Sequence, residues 1–163
     1  MSKLPGYRQC FFCSKEEPTG VKLTLRYQEN TVICDFTLER RFQGFNGIAH
    51  GGIVAGILDE LMWWTIAIET RKASMTRKIE VELLQPVICG KHYTAKGKLL
   101  KHGHNTFWVS CTIEDDEGKA AAKGTAVFKL AKDIELHHMI DDLDFTHVAQ
   151  EIRDIFTDIS THI

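Results

Sequence analysis

The pattern of apolar and polar residues predicts one long, mostly buried helix near the middle of the chain. The segment GIAHGGIVAGILDELMWWTIAI covers residues 47–68. Its apolar residues follow a helical spacing and then extend almost all the way round, which is typical of a helix that is buried on most sides. Two acids, Asp59 and Glu60, interrupt this run. A carboxylate among apolar neighbours must be hydrogen-bonded, paired or functional, so these two acids need an explanation.

Alternating apolar residues predict strands on both sides of the helix. Before it, two strands form a hairpin across the turn QEN; after it come four more strands, of which the last three are joined by short turns. We therefore predict an α+β fold in which an antiparallel sheet, ending in a four-strand meander, wraps around one long central helix. The predicted strands are Val21–Tyr27, Thr31–Glu39, Thr76–Val87, Lys91–Gly103, Thr106–Asp116 and Lys119–Ala131.

The end of the chain differs from the rest in charge. Residues 1–132 carry 19 basic and 14 acidic side chains, whereas residues 133–163 carry 1 basic and 8 acidic side chains. Apolar side chains from Phe145 to Ile159 repeat at helical spacing. We predict a sheet-and-helix domain over residues 1–132 and an acidic C-terminal extension over residues 133–163. The extension is expected to form an extra helix, packed outside the sheet or on a partner subunit.

Composition excludes several classes of function. The chain has 163 residues and a net charge of −2, which fits one soluble domain and favours neither nucleic acid nor an anionic membrane as a partner. The opening MSKLPGYRQC has no apolar run, and Ile53–Ile68 is short for a membrane span and contains two acids. Five scattered cysteines are typical of a reduced protein, so we expect a cytoplasmic location.

The start of the helix is a candidate for binding a negatively charged oxygen. The sequence AHGG, residues 49–52, lies where a helix has free backbone N–H groups, and the helix dipole favours negative charge there. Glycines let a ligand oxygen come close to the backbone. This arrangement suits an oxyanion formed from an attacked carbonyl. A loop that needs glycine for a turn is the alternative.

Asp59 is a candidate general base. Burial would raise the pKa of its carboxyl group toward the range that is useful for proton abstraction. The alternative is that Asp59 or Glu60 faces a wet gap or an interface lysine. Because the two acids are adjacent, they point about 100° apart around the helix and cannot have the same role. One is expected to face the site, and the other a subunit or strand partner.

The segment CFFC has the spacing of a metal-binding cysteine pair. Cys10 and Cys13 are separated by two residues, but no second pair follows. Zinc sites of this type usually take four ligands from the chain, so a structural loop is favoured over a zinc site.

Three segments together carry a family resemblance. FQGFNGIAHGGIVAGILDE resembles the signature of the hotdog-fold acyl-CoA thioesterases, the phenylacetate-pathway-type and 4-hydroxybenzoyl-CoA thioesterase superfamily. CFFCSKEEPTGVKL and MTRKIEVELLQPVICGK look like the lead-in and the strand after the central helix in that family. The resemblance covers about residues 10–131. It implies a hotdog fold and a dimer whose sheets join edge to edge, with active sites at the dimer interface.

The resemblance also assigns catalytic roles. Asp59 matches the catalytic carboxylate, and His50 matches the histidine that orients the carbonyl or the loop. The backbone amides of Gly51 and Gly52 match the groups that hold the thioester carbonyl. A hydroxyl residue from the partner chain often completes the site, and Thr76 matches it best.

Other residues are candidates for binding the substrate. Many members have an asparagine six residues before the histidine, whereas this chain has Gly44 there and Asn46 lies nearer. Ser74 is the rival of Thr76, and Trp63 is a candidate pocket wall, although a core position is more common for tryptophan. The candidate substrate-binding residues are Asn46, Glu60, Trp63 and Ser74.

The expected function is hydrolysis of an acyl-CoA thioester to a free acid and coenzyme A. Asp59 is expected to act as base or nucleophile, with no metal or organic cofactor. The expected partners are an acyl-CoA substrate and a second copy of the chain, in a homodimer or a dimer of dimers, with neither nucleic acid nor a membrane. Two alternatives stay open: an acyl-thioester dehydratase or hydratase, and a non-catalytic protein that binds acyl-CoA.

Overall fold

A computed structural model describes residues 1–132, 139 and 141–161 of the chain. Its main feature is a seven-stranded antiparallel sheet against one long helix, α1, at Gly51–Thr70. The strands of the sheet, in spatial order, are β1 (Ser2–Lys3), β3 (Arg26–Gln28), β4 (Thr31–Thr37), β8 (His92–His102), β9 (Thr106–Asp115), β10 (Ala120–Leu130) and β7 (Ser74–Leu83). Two small pairs complete the strands: β2 (Gly6–Tyr7) with β11 (Leu143–Asp144), and β5 (Gln43–Phe45) with β6 (Ile48–Ala49). The predicted hotdog architecture is confirmed.

The inner face of the sheet packs closely on α1. Alternate residues of β9 are buried, as expected for a strand with one face on the core. Gly97 on β8 allows the helix to come near, because a Cβ atom there would lie 2.4 Å from the Thr65 hydroxyl oxygen. The helix ends at Arg71, which caps it in a left-handed conformation. The expected helix length of about twenty residues is confirmed.

The opposite side of α1 is covered by the first twenty residues of the chain, called here the lead-in. The Phe12 ring lies over Gly56, where a Cβ atom would come within 2.1 Å of it. The Tyr7 ring packs on Trp63 and Trp64, with ring centroids 5.6 Å apart in both cases. By length and composition α1 could cross a membrane. Its apolarity is explained here by burial between the sheet and the lead-in.

The C-terminal helix α2, Gln150–Thr161, lies on α1 as well. The buried Phe156 ring meets Trp64 edge to face, with a centroid distance of 5.6 Å. The predicted amphipathic helix therefore exists, but it packs on the central helix and not on the outside of the sheet. The lead-in and the extension are also joined through the pairing of β2 with β11.

Two strand predictions need correction. The predicted four-strand meander contains only β8, β9 and β10, because β7 pairs with β10 at the end of the sheet. Residues 21–25 of the first predicted strand are not in the sheet. Instead, the N–H groups of Val21 and Leu23 donate to the carbonyls of Phe11 and Phe12 in the lead-in. The predicted boundary between residues 132 and 133 lies at the first residues outside the described range.

Candidate active site

The candidate site lies where α1 faces β7, the end strand of the sheet. In the described part of the chain β7 has a neighbour on one side only, β10. The strand runs antiparallel to the helix, so that its start lies beside the middle of α1 and its end beside the start of α1. Trp63 contacts Ser74, Asp59 contacts Thr76, and Gly51 lies beside Leu83.

Asp59 is held by a hydroxyl of the neighbouring strand. The Thr76 hydroxyl donates to Asp59 Oδ1 at 2.9 Å, and both side chains are partly buried. Burial raises the pKa of the Asp59 carboxyl group, and the hydrogen bond from Thr76 partly offsets this rise. The result is an oriented carboxylate whose second oxygen can accept a proton from water.

A bulge in β7 explains why Thr76 faces the helix. Lys78 pairs with Val127 and Thr76 pairs with the next residue, Phe128, so Arg77 is the extra residue. In a regular strand, Thr76 and Ile79 would point to opposite faces, because side chains alternate. The extra residue shifts this alternation, so that Thr76 points to the core side, as Ile79 does. The bulge therefore places a hydroxyl next to Asp59.

Thr76, and not Ser74, is the hydroxyl residue at the candidate base. The Ser74 hydroxyl is buried and has no hydrogen-bond partner among the described residues. The Trp63 indole N–H donates to the Ser74 carbonyl at 2.7 Å, which fixes the start of β7 on the helix. The resemblance led us to expect the hydroxyl from a partner chain. The structure instead brings Thr76 to Asp59 within one chain.

His50 caps the helix and occupies one of the two predicted amides. Its Nδ1 accepts from the Gly52 N–H at 2.9 Å, so that amide is not available as an oxyanion donor. The N–H groups of Ile53 and Val54 both bond to the His50 carbonyl. Among the described residues the Gly51 N–H has no acceptor, and it is therefore the amide that remains for a ligand.

An apolar cleft of about 530 Å³ opens at this end of the helix. His50 and Gly51 form part of its wall. Phe45, Leu83 and Leu84 are large apolar side chains that stay 79 %, 56 % and 46 % exposed around it. Three such side chains at one opening form the kind of apolar patch that marks a ligand or partner surface.

Asp59 and the cleft are separate within one chain. Asp59 follows Gly51 by eight residues, which is about 12 Å along a helix. An attacking group must come within about 3.5 Å of a carbonyl carbon. A carbonyl held at Gly51 is therefore out of reach of Asp59 of the same chain, so one copy does not bring the predicted catalytic residues together.

Two of the predicted substrate-binding residues, Glu60 and Asn46, lie away from both Asp59 and the cleft. Glu60 accepts from the Trp64 indole N–H at 2.8 Å and lies beside Cys10 under the lead-in, so its position does not support the predicted substrate-binding role. Asn46 is exposed in the turn between β5 and β6, outside the cleft lining. The apolar residues Phe45 and Leu83 were missed as candidates because exposure cannot be deduced from their types.

Comparison with known proteins shows which family the chain resembles. Residues 46–122 match the model of the thioesterase superfamily. The chain is 28 % identical over 123 residues to the rat acyl-coenzyme A thioesterase THEM4, an alignment that covers 74 % of this chain and 53 % of that protein. The chain thus spans about half the length of this relative.

Solved structures show the same fold. The thioesterase superfamily protein RHA08564 superposes with a TM-score of 0.71 at 23 % identity, covering 75 % of this chain and 60 % of that one. The protein smu.793 from Streptococcus mutans, solved with acetyl-CoA, gives a TM-score of 0.62 at 19 % identity, covering 67 % and 88 %. The match over residues 46–122, joined to this fold, makes the chain similar to the hotdog-fold proteins of the thioesterase superfamily.

Proposed function

We propose that the protein hydrolyses acyl-CoA thioesters at two equivalent sites, each built from two copies of the chain. The observation that carries the proposal is the Asp59–Thr76 pair beside an unpaired strand edge. The family supports thioester hydrolysis in general, and the rat relative is named for acyl-CoA.

The edge of β7 supports a twofold dimer. An exposed edge strand has unpaired backbone groups that favour pairing with another strand. Antiparallel pairing of two β7 strands about an axis near Glu80 would put Thr76 of one chain beside Leu83 of the other. Lys78 would then lie near the acids Glu80 and Glu82 of the partner subunit. The apolar surface of the central helix does not by itself require a dimer, because the lead-in and α2 cover it within one chain.

Gly51 and Asp59 of one chain lie about 12 Å apart along the helix, and this pairing would bring Gly51 of each chain to Asp59 of the other. Gly51 lies beside Leu83, and Asp59 lies beside Thr76. When the start of β7 in one chain meets the end of β7 in the other, Asp59 of the partner subunit comes next to Gly51. The cleft and the carboxylate then form one site, and the twofold axis makes two.

The reaction follows from these groups. The thioester carbonyl accepts a hydrogen bond from the Gly51 N–H, which stabilises the oxyanion that develops on attack. A neutral His50 ring, with Nδ1 occupied by Gly52, carries its proton on Nε2 and adds a second donor. Asp59 takes a proton from the attacking water and returns it to the sulfur of coenzyme A, which leaves as the thiol. If Asp59 instead attacks the carbon, coenzyme A leaves as the thiolate, and water then hydrolyses the transient anhydride to the free acid. The acyl group lies in the cleft, whose lining favours apolar acyl chains.

A panel of acyl-CoA substrates tests this proposal. Release of free thiol should be measured for straight-chain and aromatic acyl groups, with the Asp59→Asn variant as the matched blank. Turnover that disappears in the variant supports the proposal. Binding of acyl-CoA without release of thiol would contradict it and favour the non-catalytic alternative. A monomer at micromolar concentration in sedimentation would contradict the shared site.

A further inference from the structure

A second cluster of reactive side chains lies on the side of α1 that carries the lead-in. Cys10, Cys13 and Glu60 each place one potential ligand atom within 4.8 Å of the other two. The cysteines belong to the turn CFFC, and Glu60 belongs to the central helix. Cys13 is buried, whereas Cys10 and Glu60 are partly buried. The hydrolysis proposed above uses none of the three.

Backbone N–H groups donate hydrogen bonds to both sulfurs. The N–H groups of Phe12 and Cys13 both donate to Cys10 Sγ at 3.3 Å, and the N–H of Tyr7 donates to Cys13 Sγ at 3.4 Å. Hydrogen bonds to a charged sulfur favour that form.

The Glu60 carboxylate lies at a distance from the Cys10 sulfur that would let both bind one metal ion. Its Oε1 accepts from the Trp64 indole at 2.8 Å, which orients the carboxylate. Cys10 Sγ lies 3.7 and 3.8 Å from the two oxygens. With metal bonds of about 2.3 Å to sulfur and 2.0–2.2 Å to oxygen, a tetrahedral zinc ion separates its sulfur and oxygen ligands by about 3.6 Å.

Glu60 has no cationic partner among the described residues. No lysine, arginine or histidine in the described part of the chain forms an ion pair with its carboxylate. The Tyr7 ring packs on Trp63 and Trp64, and its hydroxyl is buried without a hydrogen-bond partner among the described residues. A buried hydroxyl left without a partner points to a missing ligand.

We propose that Cys10, Cys13 and Glu60 bind one Zn²⁺ ion, which ties the lead-in to the central helix. Two thiolates and one carboxylate suit zinc better than a hard cation such as Mg²⁺ or Ca²⁺. The Tyr7 hydroxyl or a water molecule completes the tetrahedron. Binding releases the two thiol protons, and the role of the ion is structural, because α1 separates it from Asp59. The sequence concealed this site because the third ligand lies 47 residues after Cys13.

Zinc titration of the full-length protein tests the proposal. The reduced protein, stripped by a chelator, is titrated with Zn²⁺ against a chromophoric competitor, and with Co²⁺ to read thiolate coordination from its absorption. The proposal predicts one ion per chain, a tetrahedral cobalt spectrum with sulfur-to-metal charge transfer, and a higher melting temperature with zinc.

Variants separate the ligands from the other thiols. Cys10→Ser and Cys13→Ser should lose stoichiometric binding, and Glu60→Gln should bind at least tenfold more weakly. Cys89→Ser, a partly buried cysteine outside the cluster, should bind zinc as the parent does. The cobalt spectrum of the parent keeps the test valid if a variant fails to fold.

Several results would overturn the proposal. These are no stoichiometric zinc in the reduced parent, full affinity in Glu60→Gln, or loss of binding in Cys89→Ser. A Cys10–Cys13 disulfide that forms readily in the parent while zinc does not bind would assign the pair to redox chemistry instead.

Discussion

Asp59 and Glu60 are neighbours on one helix, yet the structure gives them opposite surroundings. Asp59 faces the open edge of the sheet, where it has a single hydroxyl partner from Thr76. Glu60 faces the lead-in, where an indole and two cysteines surround it. Burial raises the pKa of both carboxyl groups. The comparison teaches that access, and not burial alone, separates a candidate catalytic acid from a structural one.

The largest expected effect is on turnover in Asp59→Asn. This substitution keeps the volume and removes the charge, so thioester hydrolysis should fall about a hundredfold or more, as is typical when a base or nucleophile is lost. Glu60→Gln should lose far less, because its side chain points about 100° away. Turnover of the purified, folded variants with the best substrate measures both.

Glu69→Gln is the matched control on the same helix. Glu69 bonds to the Tyr27 hydroxyl and is placed in neither site, so turnover should be unchanged. An active Asp59→Asn together with an inactive Glu60→Gln would reverse the assignment of the two acids.

The next effect concerns the helix-start amide. Gly51→Pro removes the N–H at the first helical position, where proline is tolerated, and His50 already has the extended conformation that a following proline requires. Loss of an oxyanion donor should lower kcat about 10²–10³-fold. Gly51→Ala keeps the N–H, and its Cβ would meet only the flexible end of Leu83 at 3.1 Å, so its kcat should stay close to that of the parent. Equal losses in the two variants would mean that the amide is not a donor.

A smaller effect is expected on the pH profile of Thr76→Val. The hydroxyl hydrogen bond lowers the pKa of Asp59, so its removal should raise that pKa. Asp59 must be ionised to act, and activity therefore falls as the pH drops through its pKa. The acidic limb of kcat/KM should move to higher pH in Thr76→Val, with activity recovering in more alkaline buffer. An unmoved limb would show that another group titrates.

The smallest effect on turnover is expected from a substitution in the C-terminal helix α2. Phe156→Ala removes a fully buried ring that packs on Trp64, so we expect a loss of about 3–5 kcal/mol in the free energy of unfolding. The activity of the remaining folded protein should be retained, because α2 does not reach the cleft or Asp59. Denaturant unfolding measures the first quantity. Unchanged stability would show that the helix is not docked.

Periodicity predicted the central helix and the main strands well, because apolar spacing directly reflects burial. It could not reveal the bulge at Arg77, which aims Thr76 at Asp59, since an extra residue leaves no mark on composition. Nor could it show that Phe12 and Phe156 cover the central helix. The role of Glu60 also escaped, because its cysteine partners are far away in sequence.

The shared site is the central claim, and mixing two inactive proteins tests it most directly. Asp59→Asn and Gly51→Pro are unfolded together, refolded as an equal mixture and assayed, with native mass spectrometry to count the mixed dimers. If each site takes Asp59 from one chain and Gly51 from the other, a mixed dimer has one intact site. Random pairing should then restore about a quarter of the parental activity. If mixed dimers form and the mixture stays inactive, both groups act within one chain and the shared site is contradicted.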